Sequence, residues 1–253
     1  MKICIGVGVE YTKLGETFTP ASISDLKVWL KGDSGITLVG GEVDVWADQS
    51  GNGNNVSAPA AINRPTLSTR NGKNALVFNG NNKVLQNLTA QLLRNSGAAT
   101  IIVAGTVDNT ASGRQQVNIG TPTLTGRAVL GYKVNGGPKL GAAASGRRTN
   151  ADTISAEVGQ ATLDTSWLNN SAIFSWSTAT LTTFVNNVQT DILNPFQTAG
   201  TTPNDGGAIT VGANGLLTGG WVDGDIAEIL VYEKTLNSTE LAQVQTYLAS
   251  RWL

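Results

Sequence analysis

The chain contains no histidine. The side chain that most often serves as a general base near neutral pH, and as a zinc ligand, is therefore missing. A serine or cysteine triad of the ordinary kind goes with it. There is one cysteine, Cys4, so no internal disulfide framework is available. Charge is scarce too: 14% of residues are charged, and 17 basic against 18 acidic residues leave a formal net charge of -1. Without a basic stripe, nucleic acid is not an expected partner. No apolar run approaches the length needed to cross a bilayer, so no membrane partner is expected either. Ile3 to Val9 is apolar, but Lys2 is a thin basic start and no small-x-small cleavage site follows, so no signal peptide is read. The expected location is extracellular or on a virus particle, reached without a signal peptide, for example by release on lysis.

What is present begins with length. At 253 residues a chain can bury about three-quarters of its unfolded surface and needs no staple. Solubility falls to Asn, Thr, Ser and Gln. The most informative stretch is the last, GDIAEILVYEKTLNSTELAQVQTYLASRWL, from Gly224 to Leu253. Asp225 to Tyr232 reads as a strand, with apolar residues at both parities, so a central strand covered on both faces. A turn follows over Glu233 to Leu236. Asn237 then opens a helix, with Glu240 placed for a capping box. Leu241, Val244, Tyr247, Leu248 and Trp252 share one helical face, and Gln243, Gln245 and Arg251 fall on the polar one.

Upstream, Leu26, Val28 and Leu30 alternate with Lys27, Trp29 and Lys31. Gly32 to Gly35 is a turn, and Val43, Val45 and Ala47 alternate again. Trp46 to Asn55, WADQSGNGNN, is a polar loop in which Asp48 and Ser50 can bond the turn backbone. Asn63 to Thr66 leads to a strand over Ala75 to Asn82. Leu88 to Arg94 reads as a short helix. Ala99 to Val107 is a core strand. Short strands are expected at Gln115 to Gly120, Ala128 to Val134, Lys139 to Ala143, Ala172 to Trp176 and Ala208 to Gly212. Leu181 to Val185 and Val188 to Ile192 form a hairpin through Asn186-Asn187. Many short strands, Gly/Asn/Thr turns and one terminal helix indicate a β-sandwich. Residues 1–20 are an N-terminal arm or edge strand, and 21–253 form one domain.

The closing segment resembles the last strand and helix of bacterial and phage laminin G-like domains, in the concanavalin A-like lectin/glucanase superfamily. There a G-D-I-A-E-I-x-V-Y strand precedes L-[SN]-x-x-E and a helix ending Y-L-x-x-[KR]-W. The pieces L-K-V-W-L-K-G-D-S-G, W-A-D-Q-S-G-N-G-N-N, R-P-T and V-F-N-G-N-N are similar to the same group, in the same order. Together they bracket Pro20 to Leu253. The resemblance implies an all-β, antiparallel jelly-roll sandwich with one short C-terminal helix.

Four sets of residues are candidates for chemistry. Asp223, Asp225 and Glu228 have the E-x-D-x-x-E spacing of concanavalin A-like retaining β-glucanases, in which alternate carboxylates on one strand act as nucleophile and acid. The bland alternative, which we favour, is that Asp225 and Glu228 bond neighbouring strands or the helix. Asp48, Asn52 and Asn54, with Gln49 and Ser50, could offer oxygens to calcium, with Asp33 and Asp44 nearby if the fold brings them there. A plain Asx-type turn is the simpler reading. Trp167 and Trp221 lie in polar loops and are the sugar-stacking candidates, whereas Trp29 and Trp252 are assigned to the core. Arg114 and Arg147-Arg148 are read as solvated. No cofactor is expected beyond that calcium.

The function expected from these features is a non-catalytic structural or adhesive component of a phage particle, such as a capsid decoration protein or a tail or fibre module. Its partners would be other virion proteins, engaged through the arm, cell-surface glycans, and further copies of itself. The alternatives are a carbohydrate-binding, lectin-like module and a glycoside hydrolase of the concanavalin A-like type.

Overall fold

A computed structural model describes residues 18–108, 113–120, 126–132, 142–158 and 166–253. Residues 1–17 of the expected arm lie outside the described residues, as do 133–134 and 139–141 of two expected strands. Among the described residues seventeen strands precede one α-helix. The first seven are β1 (Leu26–Lys31), β2 (Ile36–Val39), β3 (Glu42–Trp46), β4 (Val56–Ser57), β5 (Thr66–Arg70), β6 (Lys73–Asn79) and β7 (Leu85–Leu92). The middle of the chain supplies β8 (Ala98–Gly105), β9 (Arg114–Ile119), β10 (Arg127–Tyr132), β11 (Ala142–Arg147), β12 (Ser155–Val158) and β13 (Leu168–Ser175). β14 (Thr180–Val185), β15 (Val188–Leu193), β16 (Gly207–Val211), β17 (Asp223–Tyr232) and α1 (Ser238–Trp252) close it.

The strands form two antiparallel sheets, so the expected all-β sandwich is the observed one. One runs β15-β14-β13-β8-β17-β6-β5, with β1 also paired to β17. The other runs β12-β11-β10-β9-β16-β7-β4-β3-β2. The main core fills the space between them with Val28, Leu30, Trp46, Phe78, Ile101, Val117, Leu130, Phe174 and Ile229. A second apolar layer lies between the eight-stranded sheet and α1, built from Ile102, Leu230, Tyr232, Leu241, Leu248 and Trp252. The molecule therefore has three layers: nine-stranded sheet, eight-stranded sheet, helix.

Local chemistry accounts for the elements. β1 alternates as its sequence requires, with Leu26, Val28 and Leu30 inside. β8 is buried along its whole length because β13 and β17 flank it and a layer covers each face. The β14–β15 hairpin turns on Asn186 and Asn187, both at positive φ (48° and 66°), the pair of left-handed residues that a two-residue turn matching the strand twist needs. At the start of α1 the Asn237 side chain accepts from the Glu240 N–H, and the Glu240 carboxylate accepts from the Asn237 N–H, each at 2.9 Å.

Two expectations are corrected. Leu88 to Arg94 is not a helix: β7 runs to Leu92, paired with β16 and β4. Its leucines at a spacing of four suit a helix face, but Leu88 is exposed, whereas Leu92 and Ala90 enter the core. Gln245 is not on a solvated face. It is buried, and its Nε2 donates to Ser171 Oγ at 3.1 Å, because α1 lies flat enough on the sheet to cover a wider stripe than the apolar residues mark.

Candidate functional site

The two outward faces of the sandwich carry different chemistry. Beneath α1 the centre is Glu228, fully buried in β17. Its Oε1 accepts from Trp29 Nε1 at 2.6 Å and Tyr247 Oη at 2.9 Å. Its Oε2 accepts from Trp252 Nε1 at 2.8 Å and Arg251 Nε at 3.0 Å. Arg251 also holds Asp33 through Nη2, at 2.7 Å. The register of β17 against β8 slips between Ile226 and Glu228. This bulge lets Ala227 join the layer beneath the helix while Glu228 is turned to the same side. Residues three apart face opposite sides of a regular strand, so it is the bulge that puts Glu228 on the outward face shared by Asp225 and Ala227. Asp225 instead accepts from Ser68 Oγ at 2.6 Å. Burial, and then the charge of Asp108, raise its pKa, while the Ser68 bond opposes them. Asp225 and Glu228 thus bond a neighbouring strand and the helix.

The loop after β3 is a plug. Asp48 Oδ1 accepts from the N–H groups of Trp29 (2.8 Å) and Ser50 (2.9 Å), and Oδ2 from Ser50 Oγ (2.7 Å) and the Asn54 N–H (3.0 Å). The Asn52 and Asn54 amides donate to the Leu26 and Lys27 carbonyls, both at 2.8 Å. With four donors on one carboxylate, the calcium candidates are engaged in clamping the loop to β1. No group of three or more His, Cys, Asp or Glu placed for a metal occurs among the described residues.

The sugar-stacking candidates are separated. Trp167 stacks on Trp252, with ring centroids 6.1 Å apart and planes 13° apart, and the Arg70 guanidinium lies 5.5 Å from its centre. It belongs to the layer under the helix. Trp221 sits on the other side of the molecule, half-buried, and its carbonyl accepts from Arg114 Nη1 at 2.6 Å.

That arginine leads to the second face. On the outside of the nine-stranded sheet, cross-strand neighbours Ser57, Gln86, Thr210, Asn118, Val129 and Ser145 form a mostly polar row. Over β9, β10 and β11 this row opens into a cleft of about 380 Å³. Arg114, Gln115, Arg127, Ser145 and Asn214 line it, with Val129, Ala143 and Ile154 as apolar patches. A bulge shapes it: Leu130 faces Val117 but Gly131 faces Gln115, leaving Gln116 as the extra residue. Gln116 turns inward, where its Nε2 donates to the Tyr132 hydroxyl at 2.7 Å and its Oε1 accepts from Asn170 Nδ2 at 3.1 Å. Burial raises the Tyr132 pKa, and the phenol stays neutral. Gly131 is required because a Cβ there would run into the Arg114 carbonyl. The loop from Gly212 to Val222 is pinned to β9 through Gln115 N–H to Gly220 O at 2.8 Å.

The arginines are a third correction. Arg114 and Arg147 are not solvated loop residues: both lie in strands, Arg114 lining the cleft and Arg147 almost wholly buried. Arg148 is half-buried beside Asp152, 3.7 Å away. Arg127, absent from the sequence-derived candidates, is the most telling of the set. Its only signal in sequence is its place at the head of R-A-V-L-G-Y, where alternation puts Arg127, Val129 and Gly131 on one face.

No protein-family model matches the chain, and no curated protein sequence matches it. Solved structures do match in fold. Domain 4 of AbnA, an extracellular GH43 arabinanase from Geobacillus stearothermophilus solved in complex with arabinotriose, is 13% identical with a TM-score of 0.61, over 87% of this chain and 98% of that one. The binding domain of Paraclostridial Mosquitocidal Protein 1 is 13% identical with a TM-score of 0.60, over 90% of this chain and 53% of that one. The binding domain of botulinum neurotoxin serotype D is 11% identical with a TM-score of 0.61, over 88% and 51%. The chain thus spans about half the length of the two toxin domains. At these identities the likeness is one of fold, a jelly-roll β-sandwich.

Proposed function

We propose that the protein is a carbohydrate-binding module of the lectin-like sandwich kind, allied to the laminin G-like group that its first and last strands resemble. The sugar lies in the cleft over β9, β10 and β11. The observation that carries this reading is the lining itself: the polar side chains of Gln115, Ser145 and Asn214 line the cleft together with small apolar patches. A sugar presents hydroxyls at its edge and C–H groups on its face, and sites for it combine the same two features. The arabinotriose held by the arabinanase domain supports the reading by analogy of fold. The non-catalytic part of the proposal rests on Glu228, whose carboxylate is enclosed by four donors beneath the helix. The charge-poor, Asn- and Thr-rich composition supports placing the module on a virus particle, as an adhesive component that meets cell-surface glycans.

A glycan array, probed with and without calcium, tests the binding. Retention of at least one glycan class, lost on Ser145→Trp in the cleft but not on Trp167→Ala, is the expected result. No binder in either condition removes the proposal. Absence of the protein from purified virions of its source would remove the placement and leave the binding intact.

A further inference from the structure

We infer that the glycan this cleft takes carries a carboxylate, and that Arg127 is the group that holds it, with Arg114 lining the same site. This deepens the glycan-binding reading and rests on it.

The reason lies in how the cations are partnered. Arg127 opens β10 directly across from Arg147 at the end of β11. Like charges opposite one another on adjacent strands destabilise the pair. Burial, and then the field of Arg147, lower the Arg127 pKa. Among the described residues the ion pairs use Arg64, Lys83, Arg148, Lys234 and Arg251, and none brings a carboxylate to Arg127 or Arg114. Among the described residues the side-chain partner of Arg127 is the Asn118 amide, 3.1 Å from Nη2 when the amide oxygen faces it. Its Nε is buried and makes no hydrogen bond. Arg114 directs Nη1 to the carbonyls of Trp221 and Gly80, at 2.6 and 3.4 Å, and its Nε is likewise buried without an acceptor. A buried donor left unmade is costly, and native structures rarely keep one without a use.

The shape of the deficit selects the ligand. The Arg127 guanidinium, which faces Arg147 and no carboxylate, suits a planar anion with two acceptor oxygens, since the arginine fork pairs with a carboxylate bidentately; Arg114 lies at the other end of the β9–β10 pair, across from Tyr132. Val129, Ala143 and Ile154 in the same cleft suit the C–H face of a ring. Its volume, about 380 Å³, is at the small end for ligand sites, which fits one acidic sugar with part of its neighbour better than an extended polyanion. The overall charge of -1 argues in the same direction, because a polyanion would meet no wider basic surface. The carboxylate could belong to a uronic acid or to a sialic acid. The chemistry at Arg127 is the same for both.

Titration calorimetry with four probes decides the matter: trigalacturonate against galactotriose, and 3′-sialyllactose against lactose. The acidic member of at least one pair should bind about tenfold or more tightly than its neutral partner, a difference of about 1.4 kcal/mol. That preference should shrink as salt is raised, because the site is open to solvent. Arg127→Met should abolish the preference while leaving the melting temperature unchanged or higher. Arg127→Gln, read the same way, keeps the test valid if the first variant folds poorly. Preference for trigalacturonate alone identifies a uronate source, and preference for sialyllactose alone a sialic acid. If acidic and neutral sugars bind equally, or if the array's binders are all neutral, the carboxylate inference is overturned and the glycan reading stands. If acidic sugars bind tightly but Arg127→Met changes nothing, the role given to Arg127 is wrong. If no glycan binds at all, both fall.

Discussion

The outward face of the eight-stranded sheet and that of the nine-stranded sheet both bury charge, and they treat it in opposite ways. Under α1, one carboxylate meets an arginine, two indoles and a phenol, and the arginine meets a second carboxylate. Each strong donor and acceptor in that cluster is matched. In the cleft over β10, Arg114 faces carbonyls and Arg127 faces an amide and a second arginine, Arg147, with no carboxylate paired to either among the described residues. A matched cluster holds a structure together. An unmatched one raises the free energy of the empty state and so favours whatever ligand completes it. On the proposal made above, this difference separates scaffold from site.

Substitutions can break that contrast, beginning with the largest effect. Glu228→Ala leaves four buried donors, one of them charged, without an acceptor, and should cost about 3–5 kcal/mol in chemical denaturation. A loss under about 1 kcal/mol would mean the cluster is wetter than described. Trp252→Ala, at a fully buried position, should cost a similar amount, about 3–5 kcal/mol. Trp167→Ala removes a half-buried ring stacked on Trp252 and should cost about 2 kcal/mol with no change in glycan affinity. If it weakened sugar binding instead, the helix side would hold the site. Arg127→Met should be neutral or stabilising by up to about 1 kcal/mol, because it removes a half-buried charge that faces Arg147 across the strands. A clear destabilisation there would place the cleft with the scaffold.

The smallest expected effect is one of pH. The Asp225 pKa is raised from 3.8, chiefly by burial. The folded state then holds this proton more tightly than the unfolded chain does. Its contribution to stability is full below pH 3.8 and is lost as pH rises through the folded pKa. Asp225→Asn, which keeps an acceptor for Ser68, should therefore narrow the difference in melting temperature between pH 4 and pH 7. An unchanged difference would assign the pH dependence elsewhere, for instance to Glu233, whose pKa burial also raises.

Much of the scaffold was legible along the chain because its signals are local. Capping at Asn237 and Glu240, the Asn186-Asn187 turn and the alternation of β1 each depend on residues within a few positions of one another. The site was not legible. Arg114 and Arg127 stand 13 positions apart on neighbouring strands, and Trp221 joins them from a loop almost a hundred residues on. The Asx-type turn at Asp48 was legible, since three of its four donors come from Ser50 and Asn54; the bond from Trp29, nineteen positions back, was not.

The amino-acid sequence by itself determined the class of fold, the central place of the closing strand and the capped helix sealed by tryptophan, since periodicity, turn chemistry and capping act over short range. Only the tertiary structure decided which charged groups would be answered. Sheet pairing brings side chains from distant strands within a few ångströms, and it is there that Glu228 gains four donors while Arg127 gains a second arginine for a neighbour.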